Sequence, residues 1–127
     1  GKADLIVAVE PMESIRHISM LKEDGWLITN AKPFVNIPNY PELDNVLAEV
    51  KKVKNHIIID ADGIAKDIGN TKAANIVMTG AALDYLGLSF EDVEGAIRMI
   101  LGKKGEEMIQ LNLNALRAGQ EAAKAFA

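Results

Sequence analysis

The chain reads as α/β, a Rossmann-like three-layer α/β/α arrangement around a parallel or mixed central sheet. Three observations predict it. Apolar, β-branched runs of strand length stand at residues 5–9, 26–29 and 56–59, the two intervals between them carry helical periodicity, and everything after Asp60 reads as helix. Strands alternating with helices imply right-handed crossovers and parallel pairing.

The first run, 5–9, is continuously apolar, which is how a strand covered on both faces reads. Glu10 ends it, and Pro11, preorganised for the first helical position, opens a helix expected to turn Ile15, Ile18 and Leu21 inward. Asp24-Gly25 signals a turn before the second strand at 26–29. The second helix begins near Pro41, places Leu43, Val46, Leu47 and Val50 on one face, and closes on Lys51, Lys52 and Lys54 at the negative end of its dipole. The third strand, 56–59, stops at Asp60.

A short turn at 63–67 then leads to helices expected at 71–86, 89–101 and 106–126. Ser89 and Asp92 have capping-box spacing, and Phe90, Val93, Ile97 and Ile100 form an inward stripe. In the last helix Met108, Leu111, Ala115, Ala118, Ala122 and Ala125 step by three and four like a coiled-coil seam. Ile109, Leu113 and Leu116 add a second apolar row, and Gly119, unfavourable in a helix, hints at close packing.

Residues 1–127 are expected to form a single α/β domain, since the chain has ordinary one-core length and is 49% apolar and 25% charged. Three strands make a small sheet with two edges to cover. Because residues 1–4 lead straight into a buried-type strand, an N-terminal part of the fold is expected to be missing.

Composition narrows the function. A formal net charge of -4, with no Lys/Arg stretch interleaved with aromatics, argues against nucleic acid. No apolar run approaches the roughly 20 residues that cross a bilayer, and no signal-peptide core is visible, so a soluble cytoplasmic protein is expected. Cysteine is absent, which removes thiolate nucleophiles and cysteine-held clusters. His17 and His56 do not have metal-site spacing.

In open α/β sheets ligands bind beyond the carboxyl ends of the strands, where Glu10, Asn30, Asp60 and Asp62 fall. Such residues hold ligand hydroxyls or cap the following helix, and either role suits them. No G-x-G-x-x-G loop, Walker loop or G-x-S-x-G elbow occurs. The more informative piece is the run Gly69-Asn70-Thr71-Lys72-Ala73-Ala74-Asn75, which opens an unusually apolar helix. Thr71, Asn75 and Thr79 are spaced by four and share a face. Burying an unpaired amide or hydroxyl costs about 1–3 kcal/mol. The stripe therefore needs internal partners (Thr71 as helix cap, Thr79 bonded back to its helix, Asn75 bonded to a nearby loop), a subunit interface or a cofactor.

Several segments in order resemble the small, gamma-type subunit of the 2-oxoacid:ferredoxin oxidoreductases, most of all the indolepyruvate beta subunit. They are the strand ending in Glu10-Pro11, the loop with Asn36-Ile37-Pro38 and Tyr40-Pro41, Asp60-Ala61 with Ala65 and Gly69-Asn70, the helix with Asn75-Ile76-Val77-Met78 and Gly80-Ala81, and the closing helix from Asn112-Leu113 through Ala115 to Gly119. The likeness runs from about Ala3 to Gly119 and lacks the glycine-rich opening of about sixty residues usual in the family, so the chain looks like the C-terminal two thirds of such a subunit.

The resemblance implies oxidative decarboxylation of a 2-oxo acid with coenzyme A, using thiamine diphosphate and iron–sulfur clusters carried by a larger partner subunit and passing electrons to ferredoxin. It implies no catalytic residue and no cofactor held by this chain alone. It places Gly69, Asn70, Thr71 and Asn75 near the shared cofactor or subunit boundary. The alternative is a fragment of a nicotinamide-dependent dehydrogenase, since a strand ending in Glu-Pro and the run 25–30 also suit Rossmann domains.

Overall fold

A computed structural model describes residues 1–33 and 41–126. The elements run β1 (Ala3–Ala8), α1 (Pro11–Arg16), a 3-10 turn (Ile18–Met20), β2 (Leu21–Asn30), α2 (Leu43–Lys51) and β3 (Asn55–Ile59). After them come α3 (Ala61–Asp67), α4 (Ala74–Leu86), α5 (Phe90–Leu101), a 3-10 turn (Gly102–Lys104) and α6 (Glu106–Phe126). The three strands pair in parallel in the order β1-β2-β3, with Val7 beside Ile28 and Ile28 beside Ile57. α1 and α2, which follow β1 and β2, pack together on one face. The other face is covered by α4 and α6, giving the expected three layers. The loop motif of Asn36-Ile37-Pro38 and Tyr40 lies outside the described residues.

The main core follows from the period-2 alternation of strands. Ile28, Ile57 and Ile59 point to the α4/α6 side, where they meet Val77, Met78, Ala81, Ala115 and Ala123. Leu27, with the opposite parity, is also fully buried, as are Val50 and nearly so Val46 on α2. On the α4 side the ring of Trp26 lies 4.8 Å from that of Tyr85. Burial, then the neighbouring Asp84 charge, raises the Tyr85 phenol above its ordinary pKa.

α4 and α6 approach closely because glycine faces backbone on both sides. A Cβ on Gly80 would overlap the Leu116 carbonyl oxygen, and one on Gly119 would overlap that of Val77. The close packing expected at Gly119 is present, and it is reciprocal. On α6 the buried row is Ile109, Leu113, Leu116 and Gly119, whereas in the proposed seam Ala115 is buried, Leu111, Ala118 and Ala122 are half-buried, and Met108 and Ala125 are exposed. The second row is the more buried, while Ala115 and Ala122 of the seam pack in the core that holds Ile28, Ile57 and Ile59 of the sheet.

Several other sequence expectations are corrected. Asp24-Gly25 is not a turn: both residues lie inside the ten-residue β2, where the register slips so that Ala3 pairs Leu21 while Leu5 pairs Trp26. An irregularity of this kind, with Gly25 buried against Ala3 and Leu21, accommodates the glycine without ending the strand. α1 stops at Arg16, so Ile18 and Leu21 belong to the following turn and strand, and its buried positions are Pro11 and Ser14. β1 is a sheet edge, with Ala8 its one buried residue and Val7 40% exposed. Residues 63–67 are the body of a helix, α3.

Ser89 caps α5 as the spacing indicated, accepting from the Asp92 N–H at 3.1 Å. Yet no residue of α5 is buried, and Ile100, expected inward, is 77% exposed. α6 covers α5 on one side only, and Ile100 lies about 60° round the helix from Ile97. Polar contacts tie the two helices as well, with Arg98 bridging Glu94 at 3.1 Å and Glu106 at 3.0 Å.

The hydrogen bonds from Arg98 and then Gln110 hold the Glu106 carboxyl below the ordinary carboxylate range. A depressed folded-state pKa means that this carboxylate supports the fold above its ordinary titration range and loses that support as pH falls through the lowered value. Carbon-13 titration of the Glu106 carboxyl should therefore show a midpoint below the usual one. Arg98→Met should raise it toward the ordinary range, with the Gln110 bond still in place, and an unchanged midpoint would refute the pairing.

Candidate functional site

The carboxyl ends of the three strands bring together the residues that sequence placed there. Val9 and Glu10 follow β1, Asn30 closes β2, and Asp60 follows β3, with Asn30 in register beside Ile59. Glu10 is 1% exposed and caps α1, its carboxylate accepting from the Met12 N–H at 2.9 Å and the Glu13 N–H at 3.2 Å. Such charge-assisted bonds to backbone N–H groups offset the desolvation of a buried carboxylate. Ser14, also buried, donates back to the Pro11 carbonyl.

Asn30 is a latch across all three strand ends. Its amide nitrogen donates to the Val9 carbonyl at 3.2 Å and to the Asp62 carboxylate at 2.9 Å, and its oxygen accepts from the Ala61 N–H at 3.0 Å. Asp60 caps α3 by accepting from the Gly63 N–H at 2.9 Å, and its other oxygen lies 3.3 Å from the Lys32 ammonium. Of the two roles open to these residues, the structural one is filled at each. Asp62 and Lys32 are the exposed members that a ligand arriving over the strand ends would meet first. Lys32 escaped the sequence reading because its partner Asp60 is 28 positions away, beyond any local motif.

Gly69, Asn70, Thr71 and Asn75 form a separate ledge. Gly69 has φ +78° and ends α3, with the Asn70 N–H reaching back to the Ala65 carbonyl at 2.9 Å. The Ala73 N–H then bonds to the Asn70 carbonyl at 3.0 Å, so residues 71–72 are a turn and α4 begins at Ala74. This corrects both the helix start at Thr71 and its role as cap: the N-cap is Ala73, and no side chain caps it. Thr71, Asn75 and Thr79 are all exposed.

Of the internal partners foreseen for this stripe, one exists. The Thr79 hydroxyl donates to the Asn75 carbonyl of its own helix at 3.0 Å. The Asn75 amide is left facing solvent and makes no hydrogen bond to the described residues. The helix beneath is buried on its remaining faces at Val77, Met78, Gly80, Ala81, Ala82 and Leu83. What results is an uncharged hydrogen-bonding strip on a rigid helix.

The histidines serve structure. The His56 Nδ1 is 2.7 Å from the Val53 carbonyl and the ring meets Phe126 edge-on, while His17 lies 3.7 Å from Glu13. Among the described residues no group of three or more His, Cys, Asp or Glu is placed to hold a metal ion. No described helix is long and apolar enough to cross a membrane.

Comparison with known proteins agrees with the ordered motifs. A family model described as pyruvate ferredoxin/flavodoxin oxidoreductase matches residues 1–122. Indolepyruvate oxidoreductase subunit IorB of Archaeoglobus fulgidus is 34% identical over 128 residues, covering 94% of this chain and 62% of its own. The subunit of the same name from Pyrococcus horikoshii is 34% identical over 134 residues, covering 98% and 65%. The chain thus spans just under two thirds of the length of these relatives.

Among solved structures, the gamma subunit of a keto/oxoacid ferredoxin oxidoreductase from Geobacter sulfurreducens superposes with a TM-score of 0.67 at 26% identity, over 98% of this chain and 66% of that one. A 2-oxoglutarate:ferredoxin oxidoreductase from Magnetococcus marinus shares the fold at TM-score 0.72 and 19% identity, this chain covering 21% of that one. Similarity of this extent sets aside the nicotinamide dehydrogenase alternative: the chain belongs to the pyruvate ferredoxin/flavodoxin oxidoreductase family.

Proposed function

We propose that this chain is one α/β unit of the gamma-type small subunit of a cytoplasmic 2-oxoacid:ferredoxin oxidoreductase of indolepyruvate or pyruvate type. The reaction is coenzyme A-dependent oxidative decarboxylation of a 2-oxo acid. Thiamine diphosphate and the iron–sulfur clusters belong to a larger partner subunit, which passes electrons to ferredoxin. The observation that carries the reading is the family match along residues 1–122, with relatives named as oxidoreductase subunits. The donor chemistry of this chain does not fit a cluster, since its sequence has no cysteine.

On this reading the chain supplies no catalytic residue. Its contribution is the ledge of Gly69, Asn70, Thr71 and Asn75, which helps to close the coenzyme side of the partner's thiamine site. The exposed Asn75 amide, without a partner among the described residues, supports that role, because it can hydrogen-bond a neighbour without first breaking an internal bond.

Co-expression with the large subunit should give ferredoxin reduction that neither chain gives alone, and no gain on co-expression would end the enzyme reading. Asn75→Ala combined with Thr79→Ala should shift the chain's own stability by no more than about 0.5 kcal/mol, as expected of surface substitutions. Assembly or turnover should meanwhile fall at least about tenfold, as when an interface hydrogen bond is lost. If both survive unchanged, the ledge has no such role.

A further inference from the structure

α5 is apolar on two sides, and only one is covered. Phe90, Val93, Ile97 and Leu101 are half-buried on the α6 side. The opposite side carries Asp92, Gly95, Ala96, Met99, Ile100 and, one turn on, Lys103, all of them exposed. Met99 is 85% and Ile100 77% exposed, the two barest large apolar side chains described. Exposed apolar patches rimmed by charge mark interaction surfaces.

The order of these residues specifies the partner. Asp92 stands at the amino end of the strip and Lys103 at the carboxyl end, neither in an ion pair among the described residues, with the small and large apolar residues between them. We propose that the strip binds the same strip of a second copy of this chain, antiparallel, about a twofold axis level with the midpoint between residues 97 and 98. At that register Asp92 meets Lys103 of the other copy at both ends of the contact. In the middle Ala96 meets Met99, small against large. Gly95 lets the backbones approach, and Ile100 covers the flank. Sharing one patch in this way is what an isologous interface requires. An acidic end, an apolar centre and a basic end make the patch complementary to itself and not to an acidic or a basic partner in general.

The test is sedimentation velocity of the full chain between about 1 µM and 1 mM, the span over which dimers of ordinary affinity dissociate. A mass of twice 13.7 kDa is expected at the upper end and 13.7 kDa at the lower. Met99→Glu should raise the dimer dissociation constant at least about tenfold. Asp92→Lys alone and Lys103→Asp alone should each weaken self-association, because each sets like charges face to face. Mixing these two variants should restore the dimer. The first then carries a cation at both ends of its strip and the second a carboxylate at both ends, so opposite charges meet throughout. The weakening of each variant alone identifies the antiparallel register, because in a parallel one like charges would already face each other in the wild type.

Circular dichroism checks that each variant remains folded. A chain that stays monomeric to the highest concentration, or single variants that do not rescue each other on mixing, would overturn the proposal. So would a wild-type monomer whose Met99→Glu variant no longer assembles with the large subunit, which would assign the strip to that subunit instead.

Discussion

Gly119→Ala is expected to lower the unfolding free energy by about 3 kcal/mol or more, placing it at or above the usual range for overpacking. The added methyl would overlap the Val77 carbonyl oxygen and lie 2.8 Å from its carbon and 3.0 Å from the Ala81 nitrogen, all backbone atoms that no rotamer change can move. Ordinary contact begins near 3.4 Å, so the two helices must separate or shear. Separation thins the packing of Val77, Ala81, Ala115 and Leu116, which are now fully buried or within 1% of it. The intrinsic gain of alanine over glycine in a helix, about 1 kcal/mol, acts the other way and is too small to reverse the sign. Urea unfolding followed at 222 nm would measure the loss. Gly102→Ala is the control, because a Cβ there meets nothing within 4 Å. Equal midpoints for the two variants would show that the helices are not in the tight contact described.

Asn30→Ala should cost about 2–4 kcal/mol, from one or two buried backbone groups left unpaired at about 1–3 kcal/mol each. Asn30 is 4% exposed, and its loss deprives the wholly buried Ala61 of the acceptor for its N–H and the Val9 carbonyl of its side-chain donor. Asn30→Asp separates the two halves of the latch. It keeps an acceptor for the Ala61 N–H but sets a second carboxylate beside that of Asp62. A buried carboxyl next to another holds its proton more tightly in the folded state. The stability of Asn30→Asp should therefore decline as pH rises through the ordinary carboxylate range, while that of Asn30→Ala should show no such added slope. Parallel pH profiles for the two variants would mean that Asp62 does not sense position 30.

Much of this architecture was legible in sequence because it rests on local signals. Three apolar runs, Pro11 at a helix start, Ser89 three residues before Asp92 and a glycine in a long helix each carry their own physics, and each stands where it was expected. What was not legible depends on distant partners. Asp24-Gly25 has turn chemistry, yet pairing with β1 at Leu21 before it and at Trp26 after it carries the strand through. Ile100 repeats at helical spacing, but spacing cannot tell how wide a covering helix is. Thr71 has the makings of a cap and was displaced by one tight turn ending at Ala73. In the strand-end cluster the residue types were foreseen, while the three-way reach of Asn30 spans 21 to 32 positions in the chain.

The tilted ring contact of Trp26 with Tyr85 has a practical corollary. Trp26 is the chain's only indole, and the phenol 4.8 Å from it is carried by α4, across the layer boundary. Light absorbed by that phenol passes to the indole most efficiently while the helix rests on the sheet. The colour of the emitted light thus records the docking of one layer on the other, a signal separate from helix content and free of any attached dye.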